Sequence, residues 1–225
     1  MAKTVIFDLD GTLADTSADL IAAANVCFRD MGAGDMLETG RDSGIALLGA
    51  RALLQLGLQR LERGGDLAAI DRYYPFFLDA YARDIDRHTV LYDGAMAAVE
   101  KLKAEGYLVA ICTNKPEGLA DSLLTRLGVR SVFDALLGAD SIAVRKPDPE
   151  HLFETARRAG GDPARCILIG DSETDRMTAR AAKVPCVLVT FGPSGEDMSV
   201  LQPEALLDHF DDLHGIVAQL IGTAA

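Results

Sequence analysis

The chain has 225 residues, 49% of them hydrophobic and 25% charged, which is enough for one large domain or two small ones with a real core and excludes disordered and fibrous classes. Lysines and arginines number 22 against 34 aspartates and glutamates, a net charge of −12, so a general nucleic-acid or anionic-membrane binder, whose footprint is a basic face, is not expected. Cys27, Cys112, Cys166 and Cys186 form no CxxC pair and the first ten residues hold no secretory apolar core, so the chain reads as a soluble, cytoplasmic protein with reduced core thiols.

In chain order, the apolar run TVIFD at residues 4–8 predicts a first strand. Residues 16–86 then show helical spacing with no convincing strand. Leu20, Ala24, Phe28 and Met31 line one face, followed by Ile45, Leu48, Leu54, Leu58 and Leu61, then Leu67, Ile70, Tyr74, Phe77 and Tyr81. Gly32 with Gly34, and Gly64 with Gly65, mark turns between these helices, and Pro75 is expected to start or kink a helix. The aromatic stripe Tyr73, Tyr74, Phe77 and Tyr81 reads as the core of this segment. Further strands are predicted at 107–113 (YLVAICT), 135–140 (ALLGAD), 166–171 (CILIGD) and 186–190 (CVLVT), with helices between them closing at Gly128 and Gly160. The stretch FGPSGEDMSVLQPEA reads as a loop before a terminal element around Leu206, Phe210 and Ile216. Near-continuous apolar strands alternating with helices predict a doubly wound α/β fold whose parallel sheet is covered on both faces. Residues 1–15 and 87–225 form that core, and 16–86 an all-helical insertion.

In such a sheet all strand ends that precede helices lie on one edge, where ligands bind. Asp8 and Asp10 leave the first strand, Thr113 and Asn114 the second and Asp171 the fourth, while Lys146 lies in RKPDP just before a helix. Converging carboxylates repel one another unless a divalent cation sits among them, and hard oxygen donors select Mg²⁺ over zinc. An ionised Asp8 can attack phosphorus to give an aspartyl-phosphate. Asp10, two residues on and expected on the same side of an extended strand, protonates the leaving alkoxide and then deprotonates the attacking water. Lys146, the Thr113 hydroxyl and the backbone around Asn114 supply positive charge and donors to the phosphoryl oxygens, and Gly11 permits the sharp turn after the nucleophile. Arg51, Lys115 and Glu173 are further candidates for touching substrate. The four histidines, His88, His151, His209 and His214, show no ligand spacing.

DLDGTLADT resembles the first motif of the haloacid dehalogenase-like hydrolases, TNK the second, RKPDP the third and GDSETD the fourth. The resemblance implies that Asp8 is the nucleophile and Asp10 the acid/base, with Gly11, Thr12, Thr113, Asn114, Lys115 and Lys146 around the substrate. It implies Mg²⁺ held by Asp8, the Asp10 backbone carbonyl and Asp171, with Asp175 as the supporting second acid of the fourth motif. The helical segment matches the superfamily's first cap class. DTSADL, LYDGAMAAVEKLKAEGYLVAICTNKPEGLA, VPCVLVTFG and LLDHFDDL extend the similarity to the phosphoglycolate phosphatase family, with LLGAR at 47–51 where that family often has a glycine-rich VGxG-type turn.

The expected activity is therefore Mg²⁺-dependent hydrolysis of small phosphomonoesters, 2-phosphoglycolate first among them. Nucleotides and pyrophosphate are open alternatives, as is a β-phosphoglucomutase-type transfer that would use the same two aspartates. Asp10 speaks against a dehalogenase, and no lysine in 16–86 is present to form the Schiff base of a phosphonoacetaldehyde hydrolase. The partner expected is a small phosphorylated metabolite, not nucleic acid or membrane, with the chain acting as a monomer or homodimer.

Overall fold

The structure, a computed structural model, describes residues 2–224. In chain order it runs β1 (Ala2–Phe7), β2 (Ala14–Asp15), α1 (Ser17–Asp30), α2 (Ser43–Ala46), α3 (Ala50–Arg60), α4 (Leu67–Arg83), β3 (Val90–Leu91) and α5 (Ala95–Ala104). It continues with β4 (Leu108–Cys112), α6 (Glu117–Arg126), β5 (Ala135–Leu137), α7 (Pro149–Arg158), β6 (Gly161–Gly170), α8 (Glu173–Ala182), β7 (Cys186–Val189), β8 (Ala205–Leu207) and α9 (Leu213–Ile221). Two compact units result: residues up to Ala14 with those from Leu91 onward, and Asp15–Val90.

The first unit is built on a six-stranded sheet of order β5-β4-β1-β6-β7-β8, parallel throughout. Renumbered by sequence these strands read 3-2-1-4-5-6, the doubly wound order whose reversal point opens a crevice at the carboxyl ends of the first and fourth strands. Here those strands are β1 and β6. The apolar runs are continuous because both faces are covered. Alternation along each strand sends Ile6, Ala110, Cys112, Leu168, Cys186 and Leu188 to one face, where they form a buried core with Leu152 and Ala156 of α7 and Ala179 of α8. Val5, Phe7, Val109, Ile111, Ile167 and Ile169 take the other face and are fully buried, on the side from which α5 and α9 pack against β4 and β6.

Two strands differ from expectation. The loop expected after β7 is interrupted by β8, a three-residue edge strand in parallel register with β7 (Val187↔Ala205 to Val189↔Leu207). It is too short to show any period, and Leu207 is its one buried residue. β6 begins at Gly161 rather than 166 because Gly161 pairs with Ala2, with an irregularity in register before Thr4↔Cys166. All four cysteines are buried and free. Among the described residues no helix is long and apolar enough to cross a membrane.

The second unit is all helical, α1 to α4. Ile21, Ala24, Phe28, Leu53, Leu54, Leu58, Phe77 and Tyr81 are buried, and Gly57 has no Cβ because the Phe28 ring lies where one would be. The run from Ile45 to Leu61 is not one helix. Gly49, at φ +94°, ends the helical path between α2 and α3, and Ile45 and Leu48 are left exposed. α4 passes through Pro75 without starting there; Asp71 and Pro75 are both exposed, so water can take the carbonyl freed by the missing N–H. Of the aromatic stripe, Phe77 and Tyr81 stack in the core at 6.3 Å between centroids, whereas Tyr73 donates to Asp30 at the surface. Two buried polar groups pin the loops. Asn25 bonds the backbone of Met36 and Leu37, and Asp42 takes both Arg60 amino groups, which holds its carboxyl below the usual carboxylate range.

Asp19 closes this unit at its far end, accepting the backbone N–H groups of His88 and Thr89 and the Thr89 hydroxyl at 2.8–3.0 Å while itself buried. Asp19→Ala strips the partner from all three donors and should lower unfolding free energy by about 2–4 kcal/mol in a denaturant titration; a change under about 0.5 kcal/mol would show that water replaces the carboxylate.

Candidate active site

β1 ends because Asp8 gives its N–H to the Ile169 carbonyl at 2.8 Å and the chain then turns. The turn is anchored by Leu9 and Leu13, both fully buried, and the Leu9 carbonyl accepts the N–H groups of Thr12, Leu13 and Ala14. Gly11 sits at φ +83°, open to glycine and strained for other residues. Asp10 is thus placed by this turn, not by an extended strand, because the strand stops at Phe7.

Lys146 is the centre of the site. Its ammonium is 98% buried and lies 3.0 Å from Asp8 Oδ2 and 2.7 Å from Asp175 Oδ1. Burial alone would lower its pKa, but the two carboxylates outweigh that and hold it above the ordinary lysine range. The Asn114 amide fixes the loop that carries it, donating to the Lys146 carbonyl at 3.0 Å. Asp175 in turn is held by Ser172. Their side chains form a reciprocal capping box at the start of α8, and Asp175 Oδ2 accepts from the Asp171 and Ser172 backbone and from Ser172 Oγ. Asp171, at the end of β6, accepts the Thr12 hydroxyl at 2.7 Å.

One carboxylate oxygen from each of Asp8, Asp171 and Asp175 lies within 4.8 Å of the others. Three carboxylates, Asp171 and Asp175 buried and Asp8 half-buried, against one ammonium leave two negative charges uncompensated, and the effect is visible in the acids themselves. Burial first, then Asp175 and Asp8, push Asp171 well above the carboxylate range. Burial raises Asp8 to about 6 against the pull of Lys146. A hard, all-oxygen donor set with an excess of two negative charges fits a divalent cation such as Mg²⁺. Within the set, the Asp175 oxygens also accept from Lys146 and from the α8 cap, so Asp175 joins the acids to Lys146. Asp171 Oδ1 accepts from Thr12, and its Oδ2 has no hydrogen-bond donor among the described residues.

The remaining candidates fall in three places. Thr113, buried beside the site, accepts the Lys115 N–H on its hydroxyl oxygen at 3.1 Å and keeps its hydroxyl hydrogen for another acceptor. Lys115 is also buried, and its ammonium pairs with Asp10 Oδ1 at 2.6 Å. Thr12 gives its hydroxyl to Asp171, so it orients a carboxylate. Arg51 belongs to the helical unit, exposed, paired with Asp71 at 2.8 Å and stacked 4.8 Å from the Tyr74 ring. Glu173 opens α8 in its first turn.

Three contributors escaped the sequence reading. Gly170 carries no Cβ because one would lie 2.3 Å from Asp175 Cγ; the S-x-x-D cap spacing beside it was a readable signal. Gly192, in the loop after β7, comes up against the site, a Cβ there meeting the Gly11 carbonyl at 3.5 Å and Asp171 Cβ at 3.8 Å; nothing in the sequence marks it. His151 is fully buried. Its Nε2 donates to the Gly138 carbonyl at 2.9 Å, which leaves Nδ1 to accept the Cys112 thiol at 3.3 Å, a thiol that burial pushes up to about 12. His151 thereby ties α7 to the ends of β4 and β5, from which Thr113 and Lys115 depart.

The family model for haloacid dehalogenase-like hydrolases matches residues 5–189. The chain belongs to that family. It is a hydrolase, and the four motifs named above are the elements that meet around Lys146. A phosphoglycolate phosphatase of Mesorhizobium japonicum is 39% identical over 98% of this chain and 97% of its own. The enzyme of that name from Rhodospirillum rubrum is 38% identical over 95% and 90%. A solved structure from Haemophilus somnus, described as a predicted phosphoglycolate phosphatase, superposes with a TM-score of 0.84 at 26% identity, covering 95% of this chain and 97% of its own.

Gly170→Ala should displace Asp175, free Lys146 and cut turnover at least about 10-fold with a lowered melting temperature; full activity would mean that the α8 cap shifts without consequence. Burial holds the His151 pKa below its ordinary value. The unfolded chain therefore takes up a proton near pH 6.5 that the folded chain refuses, and stability is lost as pH falls through that value, by up to about 1.4 kcal/mol per pH unit. Denaturant titrations of His151→Gln from pH 7.5 to 5 should lack this part of the wild-type slope; parallel curves would place the proton elsewhere.

Proposed function

We propose that the chain is a Mg²⁺-dependent phosphatase of small phosphomonoesters, that 2-phosphoglycolate is its substrate, and that hydrolysis proceeds through an aspartyl-phosphate on Asp8. The observation that carries the reading is the Asp8–Lys146–Asp175 chain beside Asp171 at the crevice of the sheet. The names of the relatives support the substrate.

In the first step an Asp8 carboxylate oxygen attacks phosphorus, an O–P bond forms, and the bond to the ester oxygen breaks. Asp10 gives its proton to the departing alkoxide, which leaves as glycolate. In the second, Asp10 takes a proton from water, the water oxygen attacks phosphorus, and the bond to Asp8 breaks to release inorganic phosphate. Lys146 faces the oxygens that gather charge, and the Thr113 hydroxyl hydrogen is the donor beside it. Asp175 keeps Lys146 in place throughout. Asp8, the Asp10 carbonyl and Asp171 would hold Mg²⁺, which when bound offsets the repulsion between a carboxylate nucleophile and an anionic phosphoryl group. The helical unit, which contains the LLGAR departure, is the part of such proteins expected to choose among substrates.

The test is phosphate release from 2-phosphoglycolate, β-glucose 1-phosphate, nucleoside monophosphates and pyrophosphate, with Mg²⁺ and with EDTA. A preference for 2-phosphoglycolate that disappears in EDTA and returns with excess Mg²⁺ is expected. Little release from any of them would favour transfer to a second hydroxyl, as in a mutase. Asp8→Asn should lower kcat by at least ~10³-fold with the melting curve retained, and near-full activity would remove the aspartyl-phosphate route. Lys146→Ala should lose about 10²-fold in kcat/KM, whereas unchanged kinetics would take Lys146 out of the reaction.

A further inference from the structure

Thr113 is bracketed by two bonds to the segment that carries Lys146. On one side of it the Asn114 amide donates to the Lys146 carbonyl at 3.0 Å. On the other the Cys112 thiol donates to Nδ1 of His151, 3.3 Å away and five residues after Lys146. The direction of this second bond is fixed, because the Gly138 carbonyl, 2.9 Å from Nε2, can only accept and so assigns the ring hydrogen to that nitrogen. Asn114 is exposed, so water competes for its bond, whereas Cys112 and His151 are fully buried. The imidazole also closes a ring of bonds around Thr113. Thr113 donates its backbone N–H to the Leu137 carbonyl at 3.0 Å, the next residue, Gly138, accepts from Nε2, and Nδ1 returns to Cys112, the residue before Thr113. His151 is itself held, since the Thr155 hydroxyl donates to its carbonyl at 2.8 Å. Gly138 is packed against the chain that leaves Thr113, with the Glu117 nitrogen 2.2 Å from where a Cβ would be.

We propose that His151 is a positioning residue, and that the bond it takes from Cys112 sets the place of the Thr113 hydroxyl relative to the Lys146 ammonium, the two groups that meet the phosphoryl oxygens. The inference rests on the reading of Thr113 and Lys146 in those roles. Neither Cys112 nor His151 has to touch the substrate, because the effect is one of geometry. A donor displaced by about 1 Å loses most of its bond to an oxygen that is gathering charge. Such a bond is stronger in the transition state than in the bound ester, so its loss falls on kcat more than on KM.

The experiment measures kcat and KM for 2-phosphoglycolate, and the dissociation constant of orthovanadate, an anion that takes up the five-coordinate geometry of a phosphoryl group in transfer, all with Mg²⁺ present. The proteins are wild type, Cys112→Ser, Cys112→Val, His151→Gln, Thr113→Val and the last combined with each of the two before it. Serine keeps a hydrogen for Nδ1, valine fills the space without one, and glutamine keeps a donor for Gly138 but withdraws the acceptor from Cys112. Cys112→Val and His151→Gln should each lower kcat and vanadate affinity by about 10-fold with KM little changed, and Cys112→Ser should keep most of both. Thr113→Val should lose at least about 10-fold by itself, and adding Cys112→Val or His151→Gln to it should cost under about 2-fold more, because the hydroxyl they place is gone. Residues that only support the fold would give losses that multiply in the double variants and a serine no better than valine, and either result would overturn the inference. Losses in Thr113→Val with none in Cys112→Val and His151→Gln would reject the inference alone, whereas an unchanged Thr113→Val would reject the phosphoryl-donor reading of Thr113 and the inference with it. If wild type leaves 2-phosphoglycolate intact, that substrate is rejected and the vanadate constants carry the same comparison; wild type that binds no vanadate would reject phosphoryl transfer and this inference together.

Discussion

An ammonium buried between two carboxylates is the constraint on which the rest of this protein depends. Removing Lys146 from water is unfavourable unless both Asp8 and Asp175 meet it, and those three residues come from the end of β1, the loop before α7 and the first turn of α8. They converge because the doubly wound order places β1 beside β6, so that the start of α8 emerges next to Asp8. The smaller features follow from that convergence. Gly170 is a glycine because Asp175 needs the space, Ser172 satisfies the Asp175 oxygen that Lys146 does not, and Asn114 holds the carbonyl of Lys146 itself.

The fold class was legible because each strand of the six-stranded sheet except β8 shows a dense apolar run, and such runs between helical periods admit few architectures. What was not legible was local. β8 is three residues long and half exposed, so its pairing comes from the tertiary position of β7 and not from any period in its sequence. Gly49 broke a spacing that read as a single helix, and Pro75, expected to start or kink a helix, lies inside α4 with the carbonyl it leaves unpaired at the surface. At the site the motifs located the acids, but not how they are used. The reason given for Asp10, a shared strand face with Asp8, was replaced by a turn anchored on Leu9 and Leu13. Thr12, a candidate for touching substrate, bonds Asp171, and Asp175, named as the supporting second acid, lies with Asp8 and Asp171 while also holding Lys146 and the α8 cap. Hydrogen-bond partners across 159 residues, as for Thr12 and Asp171, have no footprint in sequence spacing.

The two lysines hold different acids of the site. The Lys146 ammonium stays between its carboxylates because Asp175, fixed by four donors, has no alternative position. Lys115 pairs with Asp10 on the turn after β1. On the proposed reading the first pair holds the nucleophile and the second the proton-transfer group, each in a buried ion pair.

Charge then decides what must bring an anionic substrate in. The chain as a whole is strongly negative, and its field opposes a phosphate ester. Inside the site four carboxylates, Asp8, Asp10, Asp171 and Asp175, face two ammoniums, Lys115 and Lys146. Neither ammonium is free to offer net attraction, since each already serves a carboxylate. On the proposed reading the protein's own groups orient a phosphoryl group without drawing it in, and the missing positive charge is that of the proposed divalent cation. Dependence on the metal is on this account a matter of substrate binding as much as of the chemical step, which ties the oxygen cluster at the end of the sheet to the anionic character of what is bound there.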